Sequence, residues 1–177
     1  MSTSYFDKPV DELEKESAVG GRYLNPAKLE KETKIRFFGA GITGWQAWTT
    51  ENEPLRWESK PEEFPANIKK NDSGAVDLKH FMAGIVWDYE DEGFKIILIT
   101  QKTIKDELFK CMKAPEYGDD LNKYDIKLNK TGVLKETKYS VLALPPKAVD
   151  KAIAQQFEEL QCDLKAMYDG DDPFAIS

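Results

Sequence analysis

A chain of 177 residues has room for one domain with a real core and for extra arms, while two domains would be a tight fit. It holds no apolar run of about eighteen residues and no basic-then-apolar leader, so neither a membrane span nor a secretory signal is expected, and the protein is expected to be soluble and intracellular. The net charge of −7 looks hostile to nucleic acid until it is divided by region: residues 1–32 carry −2, residues 148–177 carry −5, and the middle is neutral, so a basic groove there can still attract phosphate.

Residues 1–33 are polar, with Glu and Lys around a few apolar positions and Gly20-Gly21 and Asn25-Pro26 as breakers; they read as a loosely docked or poorly ordered arm. A β-rich run begins at 34–38 and resumes at 45–49 after Gly39, Gly41 and Gly44, as one long strand bent at its glycines or as two. Residues 50–79 contain three prolines and little periodicity and read as a long connection. It carries Arg56, Trp57, Lys60, Lys69 and Lys70, and Trp57 serves either to bind a ligand or to pin the loop.

Residues 80–89 and 94–101 are two strands joined by an acidic turn ending in Gly93. Phe81, Ala83, Ile85 and Trp87 share one face of the first, which places Trp87 in a core. The second is apolar on both faces and must lie centrally. A helix follows over about 103–113, with Ile104, Leu108 and Cys111 at helical spacing and Ala114-Pro115 closing it. Residues 124–129 and 137–142 then form a hairpin around Thr131-Gly132, its wet face rich in lysine and interleaved with tyrosine. After Pro145-Pro146 an amphipathic helix is expected over 147–167, striped with Val149, Ile153, Phe157, Leu160 and Leu164. Its stripe needs a partner, either the parent domain or a second copy in a homo-oligomer (dimer). An acidic flexible tail is expected over 168–177. Cys111 and Cys162 show no clustered spacing and read as buried free thiols.

Five strands with one helix between the third and fourth is the order of the OB-fold, a small Greek-key β-barrel that binds single strands or sugars. The expected class is therefore mainly β with helices: an OB-fold barrel over 34–146, plus the C-terminal helix. Within this domain the strings HFMAGIVWDY (80–89), FKIILITQK (94–102), Tyr117-Gly-Asp and YDIK…TG…TKYSV (124–141) resemble the single-stranded DNA-binding proteins of tailed bacteriophages. The resemblance covers roughly residues 34–143. It implies an OB-fold protein without enzymatic activity or cofactor that coats single-stranded DNA during phage replication and recombination, in the cytoplasm of the infected bacterium. The end of the chain is similar to the acidic tip of bacterial single-stranded DNA-binding proteins, with Asp171, Asp172, Pro173 and Phe174 in the positions that dock on replication proteins. The match is incomplete, because Ala175, Ile176 and Ser177 follow the phenylalanine.

On that fold, Arg36, Arg56, Lys69, Lys70, Lys79, Lys127, Lys130, Lys135 and Lys138 are the expected phosphate contacts, and Trp45, Trp48, Trp57 and Tyr139 the expected platforms for bases. Trp45 and Trp48 have opposite parity on a strand, so without a bulge only one can face a groove. Tyr139 reads equally as a barrel-core tyrosine. The acidic tail is expected to compete with DNA for these cations. Two other functions stay open: an adaptor that binds proteins through the amphipathic helix and acidic tail, and a metal-dependent nuclease. Gly39-Ala-Gly41-Ile-Thr-Gly44 matches a dinucleotide fingerprint, but that motif needs a helix where this sequence is β-rich. His80 is the only histidine and has no evident partner for metal binding or catalysis; a structural or solvent role is expected for it.

Overall fold

Residues Thr33–Trp48 form one strand that continues through the glycines and on which the rest of the sheet is built (β2). The structure is a computed structural model that describes residues 9–10 and 22–174, so expectations for 1–8, 11–21 and 175–177 lie outside the described residues. Six further strands join β2: Tyr23–Leu24 (β1), Pro54–Trp57 (β3), Lys79–Asp88 (β4), Gly93–Ile99 (β5), Asp125–Thr131 (β6) and Lys138–Ala143 (β7). They make a curled, half-barrel sheet in the order β1-β5-β4-β2-β6-β7, with β3 added at the end of β2, on the edge that β6 pairs at its start. All pairings are antiparallel except that of β1 with β5. A helix, Lys102–Lys113 (α1), lies between β5 and β6, and a shorter one, Lys151–Glu159 (α2), follows β7.

The glycine run is a bulge. Phe38 faces Ile85 and Ile42 faces Ala83, so four steps along β2 match two along β4 and the strand bends there. Gly39 takes φ 67°, a conformation that L side chains resist, and a Cβ on it would sit 3.1 Å from the ring of Phe157. No helix starts at this motif, which is the observation that removes the dinucleotide reading.

Strand alternation sorts the core into two layers. On the inner side of the curl, Ile35, Val86, Ile97 and Ile99 meet Ile126 and Leu128, and α1 closes this layer with Ile104 and Leu108. On the outer side, Phe38, Phe81, Ile85, Trp87 and Ile96 form a second layer. Its cover is the C-terminal segment. Ile153 and Phe157 of α2 pack there, with the Phe157 ring 5.1 Å from Phe38 and 5.8 Å from Phe94, followed by Leu164 and Met167. The apolar stripe after Pro146 thus packs on its parent domain.

Three expectations change here. The helix expected over 147–167 ends at Glu159: Leu160 turns extended, and Asp163 starts a separate 3-10 turn, Leu164–Asp169, by accepting from the Lys165 amide at 3.1 Å. The segment expected as a flexible tail is docked over 168–174. Tyr168 donates its hydroxyl to the Thr43 carbonyl at 2.6 Å, Pro173 is buried, and the Arg22 guanidinium lies 4.5 Å above the Phe174 ring. Of the polar arm, the stretch from Tyr23 to Lys28 docks, one of the two states expected of it: β1 adds to the sheet and Lys130 donates to the Ala27 carbonyl at 2.6 Å. Neither cysteine is fully buried; both are free and half-buried, and burial pushes the Cys162 thiol up to about 11.

Candidate nucleic-acid interface

Register decides which aromatic side chains share a face. Directly opposed residues of an antiparallel pair point to the same side, and Trp45 is opposed by Trp57 on β3 and by His80 on β4. His80 has the parity of Met82 and Val86, so all three rings lie on the face that further along forms the inner core. Trp45 and His80 meet edge to face at 5.2 Å, and Trp57 meets Phe64 in the same manner at 5.7 Å. All four are half-buried. The Lys60 ammonium stands 5.3 Å from the centre of the Trp45 ring. From α1, Lys105 donates to the His80 carbonyl at 3.2 Å.

Burial, and then the charge of Lys105, hold the His80 imidazole below its ordinary value, so it is neutral at pH 7. Burial, reinforced by Lys102 and opposed by Asp106, also holds Lys105 below the ordinary lysine range. The result is a row of flat faces, two of them indole, bordered by ammonium groups. Stacking on indoles and attraction of phosphate to nearby cations are the chemistry such a surface offers.

The other expected contacts are distributed less favourably. Trp48 is 42 % exposed but belongs to the opposite face, as its parity requires. Arg56 also lies on that face, half-buried, donating from Nε to Gln46 at 2.8 Å. Lys69, Lys70 and Lys79 are exposed around the same end of β2; the Lys69 amide donates to the Trp48 carbonyl, and Lys79 is 3.9 Å from Asp77. Lys127 lies 3.6 Å from Glu32. Lys135 and Lys138 are exposed on the β6–β7 hairpin, which extends past the start of β2, whereas Trp45 and Trp57 stand near its end. The two basic groups share no ion pair or hydrogen bond among the described residues. Tyr139 is half-buried against the inner layer, the barrel-core alternative. Of the tail residues, Asp171 and Asp172 are exposed while Pro173 and Phe174 pack within the chain.

Arg36 does not belong to any surface. It is 2 % exposed and faces Asp125, which is fully buried, at 3.1 Å; its Nε donates to the Asn122 carbonyl at 2.9 Å. Tyr89 donates to the same carboxylate oxygen at 2.6 Å, and Lys147 and Lys34 approach the other at 3.4 and 3.7 Å. Burial alone would raise the Asp125 carboxyl, but the Tyr89 hydroxyl and the Arg36 guanidinium outweigh it and hold it low. The guanidinium ties β2 to β6 and is spent on that task.

Phe64, His80, Lys60 and Lys105 are additions that sequence reasoning did not assign to the site. Only pairing β2 with β3 and β4 in register brings them to Trp45 and Trp57. Among the described residues no group of three or more His, Cys, Asp or Glu side chains is placed to hold a metal ion, and no helix is long and apolar enough to cross a membrane. Compared with known family models, curated proteins and solved structures, the chain matches none of them.

Proposed function

We infer that this protein binds single-stranded DNA without catalysing a reaction on it, and that it coats and protects the strand during bacteriophage replication and recombination. The observation that carries this reading is the row Trp45, Trp57, Phe64 and His80 on one face, with Lys60 over an indole. Two edge-to-face ring pairs, half-buried at the end of a sheet and outside the core of Ile35, Val86 and Ile97, suit successive unpaired bases. The strand order supports it: β2, β4 and β5, then α1, then β6 and β7, is the succession of an OB barrel, with β3 an insertion between its first two strands. The resemblance of residues 34–143 to phage proteins points the same way. Exposed Lys69 and Lys70, on the loop beside the end of β2, add positive charge near the rings, whereas Lys79, opposed by Gln46, lies on the face of Arg56 and Trp48.

The test is fluorescence titration with oligo(dT). Stacking quenches tryptophan emission, and the affinity falls linearly on a log scale with salt. Trp45→Ala and Trp57→Ala each weaken binding by about 1–3 kcal/mol; Trp48→Ala, on the opposite face, leaves it within about 0.5 kcal/mol. Absence of quenching and of any gel shift rejects the reading in favour of a protein-binding adaptor.

A further inference from the structure

Two features take no part in the interface above. The first is the tip of the β6–β7 hairpin, where Val133 is 72 % and Leu134 91 % exposed. This tip is built rather than frayed. Gly132 takes φ 77°, and a Cβ there would lie 2.2 Å from the Glu136 carbonyl oxygen; Leu134 itself has φ 52°. The Glu136 amide donates to Val133 and the Thr137 amide to Leu134, at 3.0 and 3.2 Å. A strained backbone holding a leucine in water is costly unless something receives the side chain. Exposed Lys135 and Lys138 flank it, with Glu136 between them.

The second is a cavity of about 300 Å³ at the β2 bulge. Phe37, Ile42, Met82 and Met112 line it, and among the described residues Asp119 and Asp120, both exposed, are the only charged ones around it. The Asn122 Oδ1 in its wall is buried without a hydrogen-bond partner. Its volume has room for two aliphatic side chains. Knob and socket are complementary in polarity and in charge: apolar inside a basic collar, apolar inside an acidic lip. They do not meet within one chain, because the knob of the chain stands in water.

We propose that the Val133-Leu134 tip of one molecule seats in the bulge cavity of the next, with Lys135 and Lys138 against Asp119 and Asp120. The contact joins two different surfaces, so it is head to tail and propagates along a row of molecules instead of stopping at a symmetric pair. On DNA, which rests on the function inferred above, the same contact makes binding cooperative. The contact itself requires no DNA.

The test uses the full chain. Sedimentation without DNA shows mass rising with concentration; Leu134→Asp abolishes the rise. Lys135→Glu and Asp120→Lys each weaken association about tenfold, and the two together in one chain restore it to within about threefold, a rescue that misfolding cannot imitate. In a Cys111→Ser, Cys162→Ser background, the Leu134→Cys protein mixed with the Asp120→Cys protein forms a cross-linked pair, while neither does so alone. Absence of the cross-link, both free and on long oligo(dT), overturns the proposal. So does a Leu134→Asp protein that loses affinity for an oligonucleotide long enough for only one molecule, since the tip would then be a DNA contact. Self-association and rescue without DNA binding would sink the function inferred above and leave this contact standing.

Discussion

Asp125 and Arg36 form a buried ion pair that joins β2 to β6. A buried charge left without its partner is costly, so Asp125→Asn or Arg36→Leu alone destabilises by about 3–5 kcal/mol in urea denaturation. Replacing both with apolar residues costs less than the sum, because no orphan charge remains. The pH dependence has a definite sign. The folded carboxyl sits below its ordinary value of 3.8, so its contribution is complete above that pH and is lost as pH falls through the folded value. The Asp125→Asn protein lacks that part of the acid slope, which stability curves between pH 5 and pH 2 will show. At this scale the sequence was partly legible. Charge and β-context alone made Arg36 a phosphate contact; its fate turned on Asp125, almost ninety residues away, and on the register that sets the two opposite each other. Trp87 was legible, because its neighbours Phe81 and Ile85 share its parity and bury with it.

Among the elements, those defined by local pattern stood out in advance. The β4–β5 hairpin, α1 and the β6–β7 hairpin begin and end within a few residues of where alternation, helical spacing and breakers put them. Three elements did not: β1, two residues inside the polar arm, β3 and the C-terminal helix. β3 is four residues with prolines around it, and only its pairing with the end of β2 makes it a strand. The C-terminal helix stops short because the stripe Val149, Ile153, Phe157, Leu160, Leu164 stays apolar across a real break; Asp163, a side-chain cap just before Leu164, was the readable sign. The strained tip makes its own prediction. Gly132→Ala must either leave φ 77° or push Glu136 away, and should lower stability by about 1–3 kcal/mol. Thermal unfolding measures it, and Gly74→Ala, at φ 83° with nothing within 4 Å of the new Cβ, isolates the backbone part of that cost.

For the molecule as a whole, the outer layer is the weak plane. Phe38, Phe81, Ile85 and Trp87 come from the first strands of the sheet, yet Ile153, Phe157, Leu164 and Met167 cover them. Phe157→Ala therefore loosens the cover and lowers stability by about 2 kcal/mol, somewhat below the loss for a fully buried phenylalanine. Truncation after residue 163 removes Leu164, Met167, Tyr168 and Phe174 together, and the shortened protein should bind a hydrophobic dye where the full chain does not. Deleting residues 168–174 in order to free the basic surfaces thus also strips packing from the sheet, and a gain in DNA affinity must be separated from that loss by measuring stability in parallel.

The Gly39–Gly41 bulge and the ring of Phe157 packed over it have a consequence for biosynthesis. More than a hundred residues separate the two, so a ribosome translating this message exposes a nearly finished sheet whose outer aromatic face is still bare. That nascent intermediate is a natural client for a chaperone. Ribosomes stalled once residue 148 has cleared the exit tunnel should hold chains that such holdases capture and proteases cut, and ribosomes stalled after residue 174 has cleared it should hold chains that resist both.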